Sequence, residues 1–350
     1  MILPQTYPVV LVLMILSMIC LGSWVSMFKL AGKWRFELFY FDFAIGLALA
    51  AVIFAFTVGN LGFDGFNFLD DLQHAGKRQW MFGFLAGVIF NFANMMLMAA
   101  VSVAGISVAF PMAMAFAMIV GTLMTAISRS GNNMMLMALG CLLLLTSVVV
   151  NALAYRFLGL QQHEEQARAG QAKSTRRPSS AKGVILSMVS GVILGSFGPL
   201  LDKARAGEVG LGPYALGAMF AAGIVLTTPV FNIFFMNLPV EGDPVDFAMF
   251  FSSKLTQHLL GLLGGILWFT GVLAAMISGS VPDQIQGGQV LRAILLQSWP
   301  LLAALWGILV FRELKGAEGR VKIMSFLMLV LFACGMTMIA LAPVYVAIKN

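Results

Sequence analysis

The chain has 350 residues, 60% of them hydrophobic and only 10% charged, with a formal net charge of +6. A soluble domain carries about 25% charged residues, and a membrane β-barrel alternates polar and apolar positions in short segments; this sequence does neither. Its apolar runs repeatedly reach the roughly 20 residues that cross a bilayer as helix, so the fold class is an all-α polytopic membrane protein. In such a chain excess Lys and Arg reports topology rather than nucleic acid.

Ten spans are predicted. In the first half they lie at about 8–28, 38–58, 80–102, 106–127 and 134–154, and in the second at about 183–204, 212–235, 257–278, 287–310 and 322–345. The amino terminus has no basic region ahead of the first apolar run, so that run reads as a retained helix rather than a cleaved signal. Only Ser102–Ser107 separates the third span from the fourth, yet Trp80 to Ile127 is far too long for one crossing. Between the halves lies a basic segment, 156–182, rich in Ala, Gln and Ser. It reads as a flexible cytoplasmic linker between residues 1–155 and 183–350. Its Ala167–Thr175 stretch ends in Lys-Ser-Thr, but Ala167 and Ala172 replace both glycines of a phosphate loop. No nucleotide is therefore expected.

The halves echo each other. Leu21-Gly22-Ser23-Trp24 returns as Leu194-Gly195-Ser196-Phe197, Gly83 and Gly87 return as Gly261 and Gly265, and Tyr40 pairs with Tyr214. An internal repeat of five spans must insert its second copy upside down, which gives the two inverted five-helix repeats of secondary transporters, with a site near the midplane. The central loop holds Arg156, Arg168, Lys173, Arg176, Arg177 and Lys182, and the loops on its side outnumber the opposite side in Lys and Arg. That bias places the linker in the cytoplasm and both termini outside.

Few residues carry chemistry inside the spans. Asp42 is the acidic residue most clearly within one, and two readings stand: a coupling or gating carboxylate, or an interfacial partner of Lys29, Lys33 or Arg35. Asn91 and Asn94 share a helix face and read as substrate-binding amides or as bonds between helices. Trp24, Trp268, Gln297 and Trp299 complete the candidate substrate site, and two readings stand for them as well: central aromatics beside an amide suit a planar ligand or a sugar face, or they pack the helices together. Pro111 and Pro300 fall inside spans and allow helix kinks. Asp283 and Arg292 flank the ninth span as a gate pair or an anchor. The cysteines (Cys20, Cys141, Cys334) and the scattered His74, His163 and His258 have no metal-ligand spacing, so neither metal nor cofactor is expected. No nucleophile–base arrangement appears, and the chain does not read as an enzyme.

The tract Gly264–Gly271, then Gln297-Ser298-Trp299-Pro300-Leu301 and Leu305–Glu313, resembles the last helices of the drug/metabolite transporter superfamily. The Glu37–Gly46 segment and the long central loop resemble most the ureide permeases and the glucose/ribose uptake proteins. The resemblance implies secondary transport of a small polar metabolite, often proton-coupled, through a central cavity in the plasma or inner membrane. Ureide permeases carry allantoin and nucleobase-like compounds, and the sugar branch carries monosaccharides. Some ureide permeases have a phosphate-loop-like motif in the central loop, which is degenerate here. A multidrug or metabolite exporter on the same scaffold is the alternative.

Overall fold

A computed structural model describes residues 1–128, 132–168, 181–240, 242–282 and 288–345. Among them the regular structure is helical: α1 (Tyr7–Leu30), α2 (Phe36–Phe56), the short α3 (Phe68–His74), α4 (Lys77–Ala104), α5 (Ile106–Ser128) and α6 (Met134–Arg168). There follow α7 (Ala181–Ser196), α8 (Gly198–Arg205), α9 (Pro213–Asn237), the single turn α10 (Ala248–Phe251) and α11 (Leu255–Ser278). Last come α12 (Gln289–Gln297), α13 (Trp299–Leu305), which runs on into a π-helical turn (Trp306–Val310), and α14 (Gly319–Leu341). Ten of the resulting helical stretches are long and apolar enough to cross a bilayer. They coincide with the ten expected from the sequence, because length and hydropathy decide a span almost alone.

The punctuation follows local chemistry. Gly105, at φ +85°, separates α4 from α5, a backbone conformation that glycine takes without steric cost. The sixth span breaks at Phe197, ahead of Gly198-Pro199, and the ninth breaks at Ser298, ahead of Trp299-Pro300. In both, a proline without an N–H restarts the helix in its first turn. Pro111 sits in the second turn of α5, and the helix continues through it. The fifth span overruns its expected end: residues 156–168 of the expected linker are the last turns of α6. Residues 169–180 and Asp283 lie outside the described residues.

The chain divides into two compact units, Met1–Met95 with Ser196–Leu302, and Met96–Gly195 with Ala303–Asn350. Each draws on both halves of the sequence. In the second unit α6 packs against α14 and α5. Gly140 and Gly335 face each other there: a Cβ added to Gly335 would fall 2.9 Å from the Gly140 carbonyl oxygen. Glu313, just past the π-helical turn, accepts from Ile106 N (3.0 Å), Ser107 N (2.8 Å) and Ser107 Oγ (2.6 Å). The carboxylate thereby satisfies amides at the start of α5 that have no helical acceptor.

In the first unit α1, α2, α9 and α11 pack side by side, and two close crossings set the frame. Where α2 meets α11, a Cβ on Gly265 would lie against the Phe43 carbonyl and 2.6 Å from Leu47 N, and Gly46 faces the backbone of Leu262. Where α4 meets α9, Gly87 lies against the Phe220 carbonyl and Gly223 against that of Phe84, with the Gly87 Cα 3.1 Å from the Cβ site of Gly223. Small residues let transmembrane backbones approach this closely. The two crossings match residue for residue. Phe43 and Gly46 sit 177 positions before Phe220 and Gly223, and Phe84 and Gly87 sit 178 positions before Leu262 and Gly265.

Candidate functional site

The crossings deliver two side-chain clusters to the first unit. The first is aromatic. Phe90 and Trp268 meet with 4.6 Å between ring centroids and their planes inclined at 32°, and their positions differ by the same 178 residues. Phe43 lies 6.1 Å from Trp268 and 5.0 Å from Trp24, while Phe220 lies 5.5 Å from Phe90 and 5.8 Å from Phe197. Phe220 also stacks on Trp268 at 6.0 Å. The six rings therefore form two matching trios, Trp24–Phe43–Trp268 and Phe197–Phe220–Phe90.

A buried polar network adjoins the box through Tyr40, whose ring is 5.0 Å from Phe43. Asn91 stands one turn beyond Gly87, and Thr227 one turn beyond Gly223, so the glycine contact brings the amide to the hydroxyls. Asn91 Nδ2 donates to Thr227 Oγ1 (2.9 Å), Thr228 Oγ1 (3.2 Å) and the Ile224 carbonyl (3.0 Å). Its Oδ1 accepts from the Tyr40 hydroxyl at 3.0 Å, and that hydroxyl accepts from Asn94 Nδ2 at 3.0 Å. Tyr40, Asn91 and Asn94 are all buried. In a span such groups must be satisfied internally, and Asn91 is so fully engaged that it can act on a ligand only through its neighbours.

Asp42 is also buried, and its partner is His258, with Oδ2 2.7 Å from Nδ1. Of the two readings of Asp42, the one that paired it with Lys29, Lys33 or Arg35 is thereby corrected: the partner is an imidazole. Arg35 instead forms a bidentate pair with Glu37, at 2.7 and 3.1 Å. The contact depends on Gly261, where a Cβ would come within 2.5 Å of the Asp42 Cβ. With no side chain there, Asp42 reaches across to His258, one turn earlier on α11. The imidazole is edge-on to Trp34 (5.3 Å) and Phe250 (4.7 Å), and Trp34 Nε1 donates to Ser253 Oγ at 2.8 Å. A carboxylate and an imidazole so placed can share one proton or hold two.

Of the residues singled out from sequence, Trp24, Asn91, Asn94 and Trp268 come together through Phe43 and Tyr40. Gln297 and Trp299 lie on another element, closing α12 and opening α13, both half-buried. Pro300 is buried in the first turn of α13, and Pro111 belongs to the second unit. Sequence reasoning passed over His258, Thr227 and Thr228, and took Tyr40 only as a repeat marker. The available signal was spacing: Thr227 lies a turn from Gly223, with Thr228 beside it, His258 lies a turn from Gly261, and Tyr40 lies a turn before Phe43.

The chain is similar to ureide permeases. A family profile described as ureide permease matches residues 39–182. Ureide permease 4 of Arabidopsis thaliana is 24% identical over 392 residues, covering 93% of this chain and 95% of that protein. Ureide permease 1 of the same plant is 22% identical, covering 91% of this chain and 93% of its own length. A solved chain described only as a crystal structure of a protein matches with a TM-score of 0.50 and 17% identity, over 92% of this chain and 94% of its own. At that identity the likeness speaks for the fold alone. With ten apolar spans, the chain is an integral multi-pass membrane protein.

Proposed function

We propose that the chain is a secondary active permease for a small, planar, polar metabolite of the ureide or nucleobase kind, coupled to protons and working by alternating access. The observation that carries this reading is the similarity to named ureide permeases along more than nine-tenths of the chain. The duplicated crossings support two inverted five-helix repeats, residues 1–155 and 183–350, joined by 156–182, on the scaffold of the drug/metabolite transporter superfamily. The charge bias of the loops supports a plasma or inner membrane location with the linker in the cytoplasm.

The roles follow from the geometry. When the helices part, a planar solute replaces a ring–ring contact in the box and stacks on Trp268, with Trp24 bracing Phe43 from behind. The Tyr40 hydroxyl and the Asn94 amide meet its N–H and C=O edge, and Asn91 holds Tyr40 in position. Gln297 and Trp299, beside the proline break, line the path. Protonation changes the Asp42–His258 contact, which bridges α2 and α11 beside their close crossing, and so couples proton binding to that crossing.

The test is uptake of radiolabelled allantoin and uracil into proteoliposomes under an inward proton gradient. Saturable, gradient-stimulated uptake is expected. Asp42→Asn should abolish the stimulation while leaving solute exchange at equal pH intact. Absence of saturable uptake together with export of lipophilic cations would replace this reading with that of an exporter.

A further inference from the structure

The second unit carries a cleft that the transport reading leaves unused. It has a volume of about 440 Å³ and is bounded by the π-helical turn, the 311–318 loop and α14. One end is basic, with Arg312, Lys315 and Lys322; the walls are apolar, with Ile308, Leu309 and Phe326. On α14 the lining positions are 322, 325, 326 and 329, a single helix face that turns from charged to apolar along the span. Leu309 and Phe326 are about two-thirds exposed, at 67% and 69%, as groups that face acyl chains are.

Among the described residues no ion pair neutralises these cations. Arg312 adopts φ +50°, a region that residues with a side chain seldom occupy. Its neighbour Glu313, the carboxylate adjacent in sequence, turns the other way and spends both oxygens on Ile106 and Ser107. Among the described residues lining the cleft there are three cations and no carboxylate. Arg320, a little further along, lies over the Phe157 ring at 4.1 Å and is not among the cleft's lining residues.

We infer that this cleft holds one anionic phospholipid, its phosphate headgroup on Arg312, Lys315 and Lys322 and an acyl chain along Ile308, Leu309 and Phe326. The charge selects the headgroup, and basic pockets at the ends of transmembrane helices favour anionic lipid. The apolar walls select a lipid over a free phosphate, which would leave them without an occupant. The leaflet is the one facing the Lys/Arg-rich loops, where Lys315 lies.

The experiment is native mass spectrometry of the full chain released from neutral detergent, with phosphatidylglycerol or phosphatidylcholine of the same acyl chains added. One phosphatidylglycerol should be retained per chain, and phosphatidylcholine should be lost at the same collision energy. The triple variant Arg312→Gln, Lys315→Gln, Lys322→Gln should weaken retention on the order of a hundredfold, and Arg320→Gln should not. Should the triple variant fail to fold, Lys322→Gln alone, on an exposed helix face, should lower retention about fivefold to tenfold. Equal retention of phosphatidylcholine, undiminished retention by the variants, or complete displacement by inorganic phosphate would each overturn the assignment.

Discussion

Replacing Tyr40 by phenylalanine isolates one oxygen atom at the centre of the polar network. The ring keeps its packing against Phe43, so the change removes only the hydroxyl that donates to Asn91 and accepts from Asn94, both at 3.0 Å. Side-chain hydrogen bonds between membrane helices average about 0.6 kcal/mol and reach about 1.7. Two of them place the expected cost of Tyr40→Phe at about 1–3 kcal/mol. Asn91→Ala should cost more, because it also opens a cavity beside Thr227 and Thr228.

The informative quantity is the coupling between the two changes. Once Asn91 is gone, the Tyr40 hydroxyl has lost its acceptor, so the double variant should be less destabilised than the sum by about 0.6–1.5 kcal/mol. Asn151→Ala is the control: that amide donates to the Val108 carbonyl at 3.0 Å in the other unit, and its effect should add to that of Tyr40→Phe within about 0.5 kcal/mol. Unfolding free energies from denaturant titration in mixed micelles supply the numbers. Strict additivity of Tyr40→Phe and Asn91→Ala would refute the network as described. In uptake assays the same Tyr40→Phe variant should raise KM if the hydroxyl meets the solute.

Glu313→Gln exchanges a carboxylate that accepts three hydrogen bonds for an amide that must aim an NH2 at one of the donors, and should cost about 1.5–3 kcal/mol; an unchanged melting temperature in detergent would contradict this. Asp71, outside the spans on α3, accepts from Gly212 N at 3.0 Å ahead of α9, and burial holds its pKa above the ordinary carboxylate range despite that bond. Because its folded pKa is raised, the linkage contribution to stability is full below the unfolded pKa and lost as pH rises through the folded one. Asp71→Asn should therefore melt higher than the parent at neutral pH, and the gap should close as the pH falls below the carboxylate range.

Span number and placement were readable because apolar length is a local property. So was the pairing of Asn91 with Asn94, since helical periodicity alone puts them on one face. The partners were not readable. His258 lies 216 residues from Asp42 and Thr227 lies 136 from Asn91, and such contacts depend on which helices cross and in what register. The echoes between the halves were visible, but Tyr40 was matched to Tyr214. The register of the crossings puts Gly217 at the equivalent position, and Tyr214 instead donates to the Ile2 carbonyl at 2.8 Å. Residues 156–168 looked like linker because they lack an apolar run. Gln, Glu, Ala, Arg and Leu nevertheless sustain a helix, and this one is pinned by Gln161 donating to the Gly316 carbonyl (2.8 Å) and by Arg320 over Phe157.

The two matched crossings set where a site can form, and the places where they differ set what the site can do. At the positions equivalent to Tyr40 and Asn91 stand Gly217 and Phe269, so the matching end of the aromatic box is apolar, and the atoms nearest to a Cβ on Gly217 would be those of Leu273, Phe269 and Met276. Phe90 and Trp268 occupy equivalent positions and touch, which makes their exchange a test of the frame itself. Phe90→Trp alone overfills a close-packed cluster and should cost about 1–3 kcal/mol, while Trp268→Phe alone leaves a void beside Phe43 and Phe220. Made together, the changes conserve ring volume and should restore stability to within about 1.5 kcal/mol of the parent. The polar end stays with Tyr40 and Asn94, so under the proposed function solute uptake should survive the exchange with an altered KM. A double variant as unstable as the sum of the singles would show that the two trios are not interchangeable, and the equivalence drawn from the glycine register would fall.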